Sequence, residues 1–332
     1  MPKRLREVVA LLRAPDASAL FAEAQEVRDG VFGREVFQRG VVEFSNHCRK
    51  NCRYCGLRKG NAHLPRYSMD CQAIVQAADC AVRMGMGTVV LQSGEESALD
   101  IRRVGRIISK IKRLGDVAVT LCLGEHGEDD YRYWRDCGAD RYLLKMETFH
   151  AGVHRHCRPG QTGRTRLGKV RLLQRLGYET GSGLITGLPG MTPEILANDL
   201  LALSQLSLDM IAVGPFVPHP QTPLGDSAAG SLEESLRATA LLRVLNPKAN
   251  IPATSALDAL TPKGRELGLS VGANVVMPSV TPESVRGEYF LYPGKNDSSV
   301  PVVNTIRRLQ QRLREAGYHP SSARGVSPAY CA

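Results

Sequence analysis

Short apolar runs rich in Val, Ile and Leu alternate with amphipathic stretches over most of the chain. Eight runs predict strands: GVVEFSN (40–46), TVVLQSG (88–94), VAVTLCLG (117–124), DRYLLKME (140–147), TGSGLITG (180–187), DMIAVGPF (209–216), NIPATSA (250–256) and ANVVMPS (273–279). Between them, apolar residues at helical spacing predict helices over 70–84, 100–114, 129–137, 167–176, 193–206, 232–245 and 262–269. Strand–helix alternation of this kind predicts a parallel sheet with right-handed crossovers.

Eight such units favour a closed (β/α)8 barrel of the TIM type over an open sheet, and the strands are as apolar as parallel strands buried on both faces should be. Residues 1–37 form a predicted N-terminal helical segment, because LREVVALL and SALFAEAQEVRDGVF each carry an apolar helical face. The barrel is predicted over 38–292. The remaining 293–332 hold one helix (302–316) and an irregular tail, and no linker interrupts the chain, which predicts a single α/β domain.

Composition and charge narrow the class of protein. Hydrophobic residues make up 43% and charged residues 23% of the chain, as in ordinary soluble proteins. No apolar run approaches the roughly 20 residues of a membrane span, and the start is too charged for a secretory signal, so the expected compartment is the cytoplasm. The net charge of +10 fits either a solvated surface or attraction to an anionic substrate or nucleic acid. Without a basic tail or an aromatic-studded RNA motif, nucleic acid is not an expected partner.

Three of the nine cysteines, Cys48, Cys52 and Cys55, form a C-x3-C-x2-C pattern just after the first predicted strand. That position is the C-terminal mouth of a barrel, where active sites form. Three thiolates this close can bind three corners of a cubane iron–sulfur cluster and leave the fourth iron open to a small molecule. The alternatives are coincidence or a zinc site, for which His47 and His63 are the nearby candidates for a fourth ligand. An odd number of cysteines argues against a disulfide framework.

The spacing, with the aromatic Tyr54 before the last cysteine, resembles the signature of the radical S-adenosylmethionine (SAM) superfamily. The resemblance implies a [4Fe–4S] cluster on the three cysteines whose open iron binds SAM, and reductive cleavage of SAM to methionine and a 5′-deoxyadenosyl radical. Ser93-Gly94-Glu95 resembles the superfamily's Gly-Gly-Glu element, whose main chain contacts the SAM amino group. Gly183-Leu184-Ile185-Thr186-Gly187 resembles its G-x-I-x-G element near the adenine. These matches assign cofactor binding to Tyr54, Ser93, Gly94, Glu95, Gly183 and Ile185.

Longer stretches between residues 38 and 295 resemble the HydE family of [FeFe]-hydrogenase maturases, with methylornithine synthase and biotin synthase as more distant relatives. They are EFSNHCRKNCRYCGLRKGN, VVLQSGEE, GADRYLLKMET, LGYETGSGLITGLPGMT, GPFVPHPQTPL, NIPATSA, GANVVMP and LYPGK. The resemblance implies a role in assembling the diiron part of the hydrogenase H-cluster, on a small sulfur-bearing iron substrate supplied by a partner maturase. An electron donor such as ferredoxin or flavodoxin is an implied partner. The alternative is a relative that acts on a small amino-acid or sulfur-containing substrate. A third hypothesis is a non-enzymatic iron–sulfur electron carrier or an RNA-binding protein.

By motif position, Glu147 and Arg166 would contact SAM, although each could instead form an ordinary ion pair. The resemblance also implies a substrate cavity lined by Thr120, Met210, Thr254, Ser255, Met277 and Tyr292, with Tyr292 also assigned a catalytic role. Hydroxyl groups at strand ends can bind an anionic or cyanide-bearing ligand. Apolar Met side chains exclude water from the cavity wall. The alternative reading makes the two methionines core residues and Tyr292 a packing residue with a polar tip. Cys122 either faces the mouth or is a buried free thiol.

The chain departs from the HydE pattern at three places. Many HydE proteins carry a second cluster on three tail cysteines, whereas YPGKNDSSVPVVNTIRRL contains none, which predicts a single cluster. The usual Arg-His-Glu-Thr is Lys145-Met146-Glu147-Thr148 here, and the usual Gly-Glu-Asp-Pro is Gly94-Glu95-Glu96-Ser97. Lys does not replace Arg neutrally at a bidentate site, so these changes bear on the identity of the substrate.

Overall fold

A parallel sheet surrounded by helices forms the body of the computed structural model, which describes residues 1–296 and 299–331. The strands are β1 (Glu35–Ser45), β2 (Thr88–Ser93), β3 (Ala118–Cys122), β4 (Arg141–Leu143), β5 (Glu179–Thr186), β6 (Met210–Pro215), β7 (Val275–Val276) and β8 (His319–Ser321). Their order is β6-β5-β4-β3-β2-β1-β7, with β8 paired to β1. Every pairing between these strands is parallel, as the alternating pattern predicts.

Two helices precede β1, and the others lie in the connections between the strands. The helices are α1 (Lys3–Arg13), α2 (Ser18–Phe32), α3 (Cys71–Arg83), α4 (Ile101–Lys112), α5 (Glu128–Asp136), α6 (Ala151–Cys157), α7 (Gly163–Arg175), α8 (Pro193–Ser204), α9 (Leu232–Leu245), α10 (Ser255–Leu260), α11 (Gly264–Ser270), α12 (Glu283–Arg286) and α13 (Val302–Glu315). All the predicted helices are present, whereas the short helices α6, α10 and α12 were not predicted. None of the helices in the described residues is long and apolar enough to cross a membrane.

The barrel-like fold is confirmed, but the seventh predicted strand, over 250–256, is replaced by two isolated bridges. Met210 of β6 pairs with Asn250, and Pro252 pairs with Val275 of β7, so this segment links the two ends of the sheet. Pro252 has no N–H to donate, which prevents a continuous ladder here. The side chain of Asn274 accepts a hydrogen bond from the Ile251 N–H at 2.8 Å and so takes the place of a backbone partner.

The C-terminal tail closes the end of the barrel that lies opposite the C-terminal ends of the strands. After β8 pairs with the start of β1, the Arg324 carbonyl accepts hydrogen bonds from Thr88 and Arg141, residues near the beginnings of β2 and β4. Asn250 donates to the Gly325 carbonyl at 2.9 Å in the same region. The tail that the sequence predicts as irregular is therefore part of the barrel's packing. In the described residues the cavity of the barrel lies at the C-terminal ends of the strands.

Candidate active site

A cavity of about 340 Å³ opens at the C-terminal ends of the strands. Most of the predicted site residues line it: Cys48, Cys52, Tyr54, Cys55, Ser93, Gly94, Glu95, Glu147, Arg166, Ile185, Thr254, Ser255, Met277 and Tyr292. Cys122 lines it as well, so this thiol faces the mouth. Gly183 lies within β5 beside the wall, whereas Thr120 and Met210 lie deeper in the barrel and outside the wall. The substrate role of those two residues stays a prediction.

The three cysteines lie on a long loop that hydrogen bonds hold in place. The guanidinium of Arg66 donates to the carbonyls of Asn46 at 2.6 Å and Leu57 at 2.9 Å, and it reaches two further carbonyls in the loop. A side chain at Gly56 would put its Cβ 2.0 Å from the Phe290 carbonyl oxygen, so only glycine allows this loop to pack against the 289–292 segment. These contacts within the chain therefore define the conformation of the loop.

The chemistry of the three thiols fits an iron–sulfur cluster. Cys52 is buried, Cys48 and Cys55 are half-buried, and all three are free of disulfides. Burial, with a smaller contribution from the neighbouring thiols, raises the pKa of Cys48 and takes that of Cys55 well above its usual range. Thiolates at such positions need a metal to compensate their charge, and a cluster spreads its three cysteines over three irons. In the parts of the chain that the structure describes, no three His, Cys, Asp or Glu residues form a site for a single metal ion.

The Ser93-Gly94-Glu95 element lines the cavity and is held in place by hydrogen bonds and ion pairs within the chain. The Gly94 N–H donates to the Ser45 carbonyl at 3.0 Å, and the Ser93 hydroxyl turns back onto the Gly94 carbonyl at 2.7 Å. The Glu95 carboxylate pairs with Arg49 at 2.8 Å and with Lys50 at 3.0 Å. Serine in place of the first glycine is therefore accommodated locally, and the acidic group is already bound by the chain's own cations.

Glu147 projects into the cavity from a strained backbone position. Its φ is +68°, a left-handed conformation that non-glycine residues rarely adopt and that is typical of functional sites. Hydrogen bonds with Gly183 and Ile185 of β5 hold it there, at 2.9 and 3.0 Å. Burial alone would raise the pKa of this carboxyl, but Lys145, 3.1 Å away, and two arginines hold it below its usual value. Glu147 is therefore a buried anion, suited to a cationic or hydroxyl-bearing ligand.

Arg166, in the first turn of α7, lies in the cavity wall and is only 6% exposed. Its guanidinium donates to Glu125 at 2.8 Å and to the Lys145 carbonyl. The ion pair that the sequence left open as an alternative is thus present and buried, and it orients the guanidinium beside the cavity.

We expect the Arg166→Met substitution to weaken SAM binding by about 10- to 100-fold, because a hydrogen bond to a charged group is worth about 1.5–3 kcal/mol. Anaerobic equilibrium dialysis with labelled SAM measures this change. Arg164→Met is the matched control, since Arg164 lies on the same helix but is exposed, and its SAM affinity should equal that of the unmodified protein. Equal affinities for the two variants would contradict the assignment.

Arg158 is a cavity residue that the sequence did not indicate. It is 4% exposed and donates to the Tyr54 hydroxyl at 3.0 Å and to Gln161 at 2.6 Å. The amide of Gln161 lies 3.8 Å from the Cys52 sulfur, so these polar groups lie behind the cysteine loop. Arg158 follows the short helix α6, and the only sequence signal was the helix-breaking Pro159-Gly160 pair after it.

The opposite wall of the cavity carries hydroxyl groups. The Ser255 and Tyr292 hydroxyls lie 2.7 Å apart. The Thr254 hydroxyl is buried and has no hydrogen-bond partner among the described residues, and the same holds for Thr120 below the cavity. An unpartnered buried hydroxyl is costly, so these groups suit a polar ligand. Deeper still, the Arg39 guanidinium lies 2.7 Å from the Met210 sulfur, and burial lowers its pKa to about 9.

Comparisons with known proteins identify the family of this chain. Residues 42–203 match the family model of the radical SAM superfamily. The chain is 46% identical over 291 residues, 88% of its length and 83% of the relative's, to the [FeFe] hydrogenase maturase subunit HydE of Thermotoga maritima. It is 28% identical over 309 residues, 92% of its length and 87% of the relative's, to 3-methylornithine synthase of Methanosarcina barkeri. The crystal structure of methylornithine synthase superposes with a TM-score of 0.81 at 25% identity, covering 96% of this chain and 93% of that one.

Together these similarities span most of the chain. The chain belongs to the radical SAM superfamily, whose members use a [4Fe–4S] cluster and SAM. Within that superfamily it is an enzyme of the HydE-like type, as the sequence motifs predicted.

Proposed function

We propose that this enzyme carries one [4Fe–4S] cluster on Cys48, Cys52 and Cys55 and acts in H-cluster assembly, on a small sulfur-bearing iron compound. The observation that carries the proposal is the joint cavity, in which three free cysteines face a wall of hydroxyl groups. When bound, the reduced cluster and SAM supply a 5′-deoxyadenosyl radical. The partners we propose are other hydrogenase maturases and a one-electron donor protein of the ferredoxin or flavodoxin type.

The chain's own residues bind and orient the reactants. Glu147, held as an anion, receives the ammonium or ribose hydroxyls of SAM, and Arg166 receives its carboxylate. Thr254, Ser255 and Tyr292 then bind the polar part of the substrate, while the Met277 side chain keeps its surroundings dry. The buried cation Arg39 below the cavity supports an anionic substrate, because a buried charge is stabilised by an opposite one.

A single cluster is part of the proposal. The tail stretch that corresponds to the second-cluster site of many HydE proteins has no cysteine. The one tail cysteine, Cys331, is exposed and follows Tyr330, whose hydroxyl donates to the Gly177 carbonyl just before β5. Cys331 therefore lies at the end of the barrel opposite the cavity.

A second candidate is a methylornithine synthase-like or biotin synthase-like reaction on a small amino-acid or sulfur-containing substrate. The similarity to 3-methylornithine synthase over most of both chains supports it. The departures from the HydE pattern bear on the substrate, since Lys145 presents one ammonium to Glu147 where an arginine would offer a planar fork. Glu96, at the second departure, accepts a hydrogen bond from Ser45 at 3.1 Å.

The test is anaerobic reconstitution with iron and sulfide, followed by SAM, dithionite and a cysteine-ligated iron carbonyl–cyanide complex. We expect cleavage of SAM that depends on the protein. The expected product is an adduct between the deoxyadenosyl group and the substrate sulfur. Free 5′-deoxyadenosine together with a rearranged amino acid, when amino acids replace the complex, would favour the second candidate. Absence of SAM cleavage would refute both.

A further inference from the structure

The two longest stretches of the chain without Asp or Glu pack against each other at the cysteine loop. Residues 44–69 contain six Lys or Arg, and residues 148–178 contain seven, without a single carboxylate side chain in either stretch. The first stretch is the cysteine loop itself, and the second comprises α6, α7 and their connections. Elsewhere along the chain acidic residues recur at shorter intervals, so the positive charge is concentrated in these two stretches.

Direct contacts join the two stretches into one surface. The Arg53 N–H donates to the Cys157 carbonyl at 2.8 Å, and the Arg53 guanidinium lies 3.4 Å from the His156 ring. Arg158 and Gln161 make the contacts to Tyr54 and Cys52 described above. The second stretch therefore packs directly against the residues that flank two of the cluster cysteines.

Both stretches carry cations that the protein itself does not neutralise. We call five of these cations the basic face: Arg53, Arg58, Lys59, Arg155 and Arg164. Lys59, Arg155 and Arg164 are exposed, and none of the five lies within ion-pair distance of a carboxylate in the part of the chain that the structure describes. The cations nearer the cavity are neutralised by the protein itself, because Arg49, Lys50 and Arg166 are paired with Glu95 or Glu125.

We propose that the basic face is the docking surface for an acidic one-electron donor protein. The inference rests on the proposed function, in which each SAM cleavage consumes one electron that must enter through the cluster. Electron-transfer encounters are small and weak, and they depend on charge complementarity for speed rather than on apolar area. Unneutralised cations on the cysteine loop and on the stretch packed against it meet that requirement, and steering of this kind raises association rates by about 10- to 1,000-fold at low ionic strength.

The test compares two reductants on the reconstituted enzyme. The double variant Lys59→Glu/Arg155→Glu is assayed for 5′-deoxyadenosine with flavodoxin, reduced by its NADPH-dependent reductase, and separately with dithionite. The matched control is Arg307→Glu/Arg314→Glu, which reverses two exposed arginines of α13 far along the chain. We expect the flavodoxin-driven rate of the first variant to fall at least about tenfold at low salt, with the dithionite rate unchanged and the control normal for both reductants. Added salt should slow the unmodified enzyme and leave the variant nearly unaffected.

The other outcomes contradict either the docking surface or the proposed function on which it rests. Equal flavodoxin-driven rates for the two double variants would overturn it, as would a flavodoxin-driven rate in the unmodified enzyme that salt does not change. Loss of the dithionite rate in Lys59→Glu/Arg155→Glu, with iron content and circular dichroism intact, would place these residues in the SAM site instead. Weakened RNA binding with a normal flavodoxin-driven rate would assign the face to nucleic acid. If the unmodified enzyme cleaves no SAM even with dithionite, the proposed function fails rather than the docking surface.

Discussion

Replacing Cys55 by alanine should abolish SAM cleavage, with a loss of more than about 100-fold in 5′-deoxyadenosine formed under dithionite. Removal of outer partners of a metal centre already costs about 10- to 100-fold, and a direct ligand contributes more. Two thiolates cannot hold three corners of a cluster, and the nearby histidines His47 and His63 do not line the cavity to replace the third. The iron and sulfide content of the reconstituted variant should fall together with activity.

The control for this variant is Cys80→Ala. Cys80 is a half-buried free cysteine of α3, so its loss removes a thiol without touching the cavity. Iron content and SAM cleavage should match those of the unmodified protein. Full iron content in the Cys55→Ala variant would show that a different set of ligands holds the metal, and retained cleavage would refute the cluster assignment itself.

The features that the sequence predicted are those set by local pattern. The three cysteines lie within eight residues after a strand, so their convergence at one end of the barrel needs no knowledge of distant contacts. The alternation of strands and helices likewise depends on short-range periodicity. Glu147 and Arg166 were found through motif position, and the structure adds what no motif could give, the strained backbone of one and the buried partner of the other.

The features that the sequence missed depend on contacts between distant residues. The 250–256 run resembles a strand, yet Pro252 and the Asn274 side chain break its ladder. The tail resembles an irregular end because its residues are polar, and only the pairing of β8 with β1 shows that it closes the barrel. Arg158 follows too short a helix to be recognised, and its role is visible only once α6 packs against the cysteine loop.

An ion pair between residues far apart in sequence also fixes the wall of the cavity. Glu43, in β1, is fully buried, and its carboxylate lies 3.0 Å from the Lys295 ammonium. The hydroxyls of Ser279 and Thr281 also donate to it. Burial alone would raise the pKa of Glu43, but Lys295 and the two hydroxyls hold it below the usual value. Because Lys295 lies three residues after Tyr292 and lines the same cavity, the pair anchors the segment that carries Tyr292.

We expect Lys295→Met to lower the free energy of unfolding by about 3–5 kcal/mol, since removal of one partner leaves a buried charge uncompensated. Urea denaturation followed by circular dichroism measures the loss. The control Lys110→Met removes an exposed lysine of α4 and should change stability by less than about 0.5 kcal/mol. The double variant Glu43→Gln/Lys295→Met removes both charges and should recover much of the loss. If Lys295→Met is as stable as Lys110→Met, the pair does not hold the wall.

The pH dependence of the stability of Lys295→Met gives an independent check. Loss of Lys295 reverses the sign of the contribution that ionised Glu43 makes to the free energy of unfolding. In the unmodified protein the lowered pKa of Glu43 contributes stability above the unfolded value of about 4.3, and that contribution is lost as the pH falls through the folded pKa. Without Lys295, burial dominates and the pKa of Glu43 rises, so ionisation opposes folding at neutral pH and the opposition disappears on acidification. The stability difference between the two proteins should therefore be largest near pH 7 and should shrink toward pH 4. A difference that does not vary over this range would mean that Lys295 stabilises the segment by packing and not through the charge of Glu43.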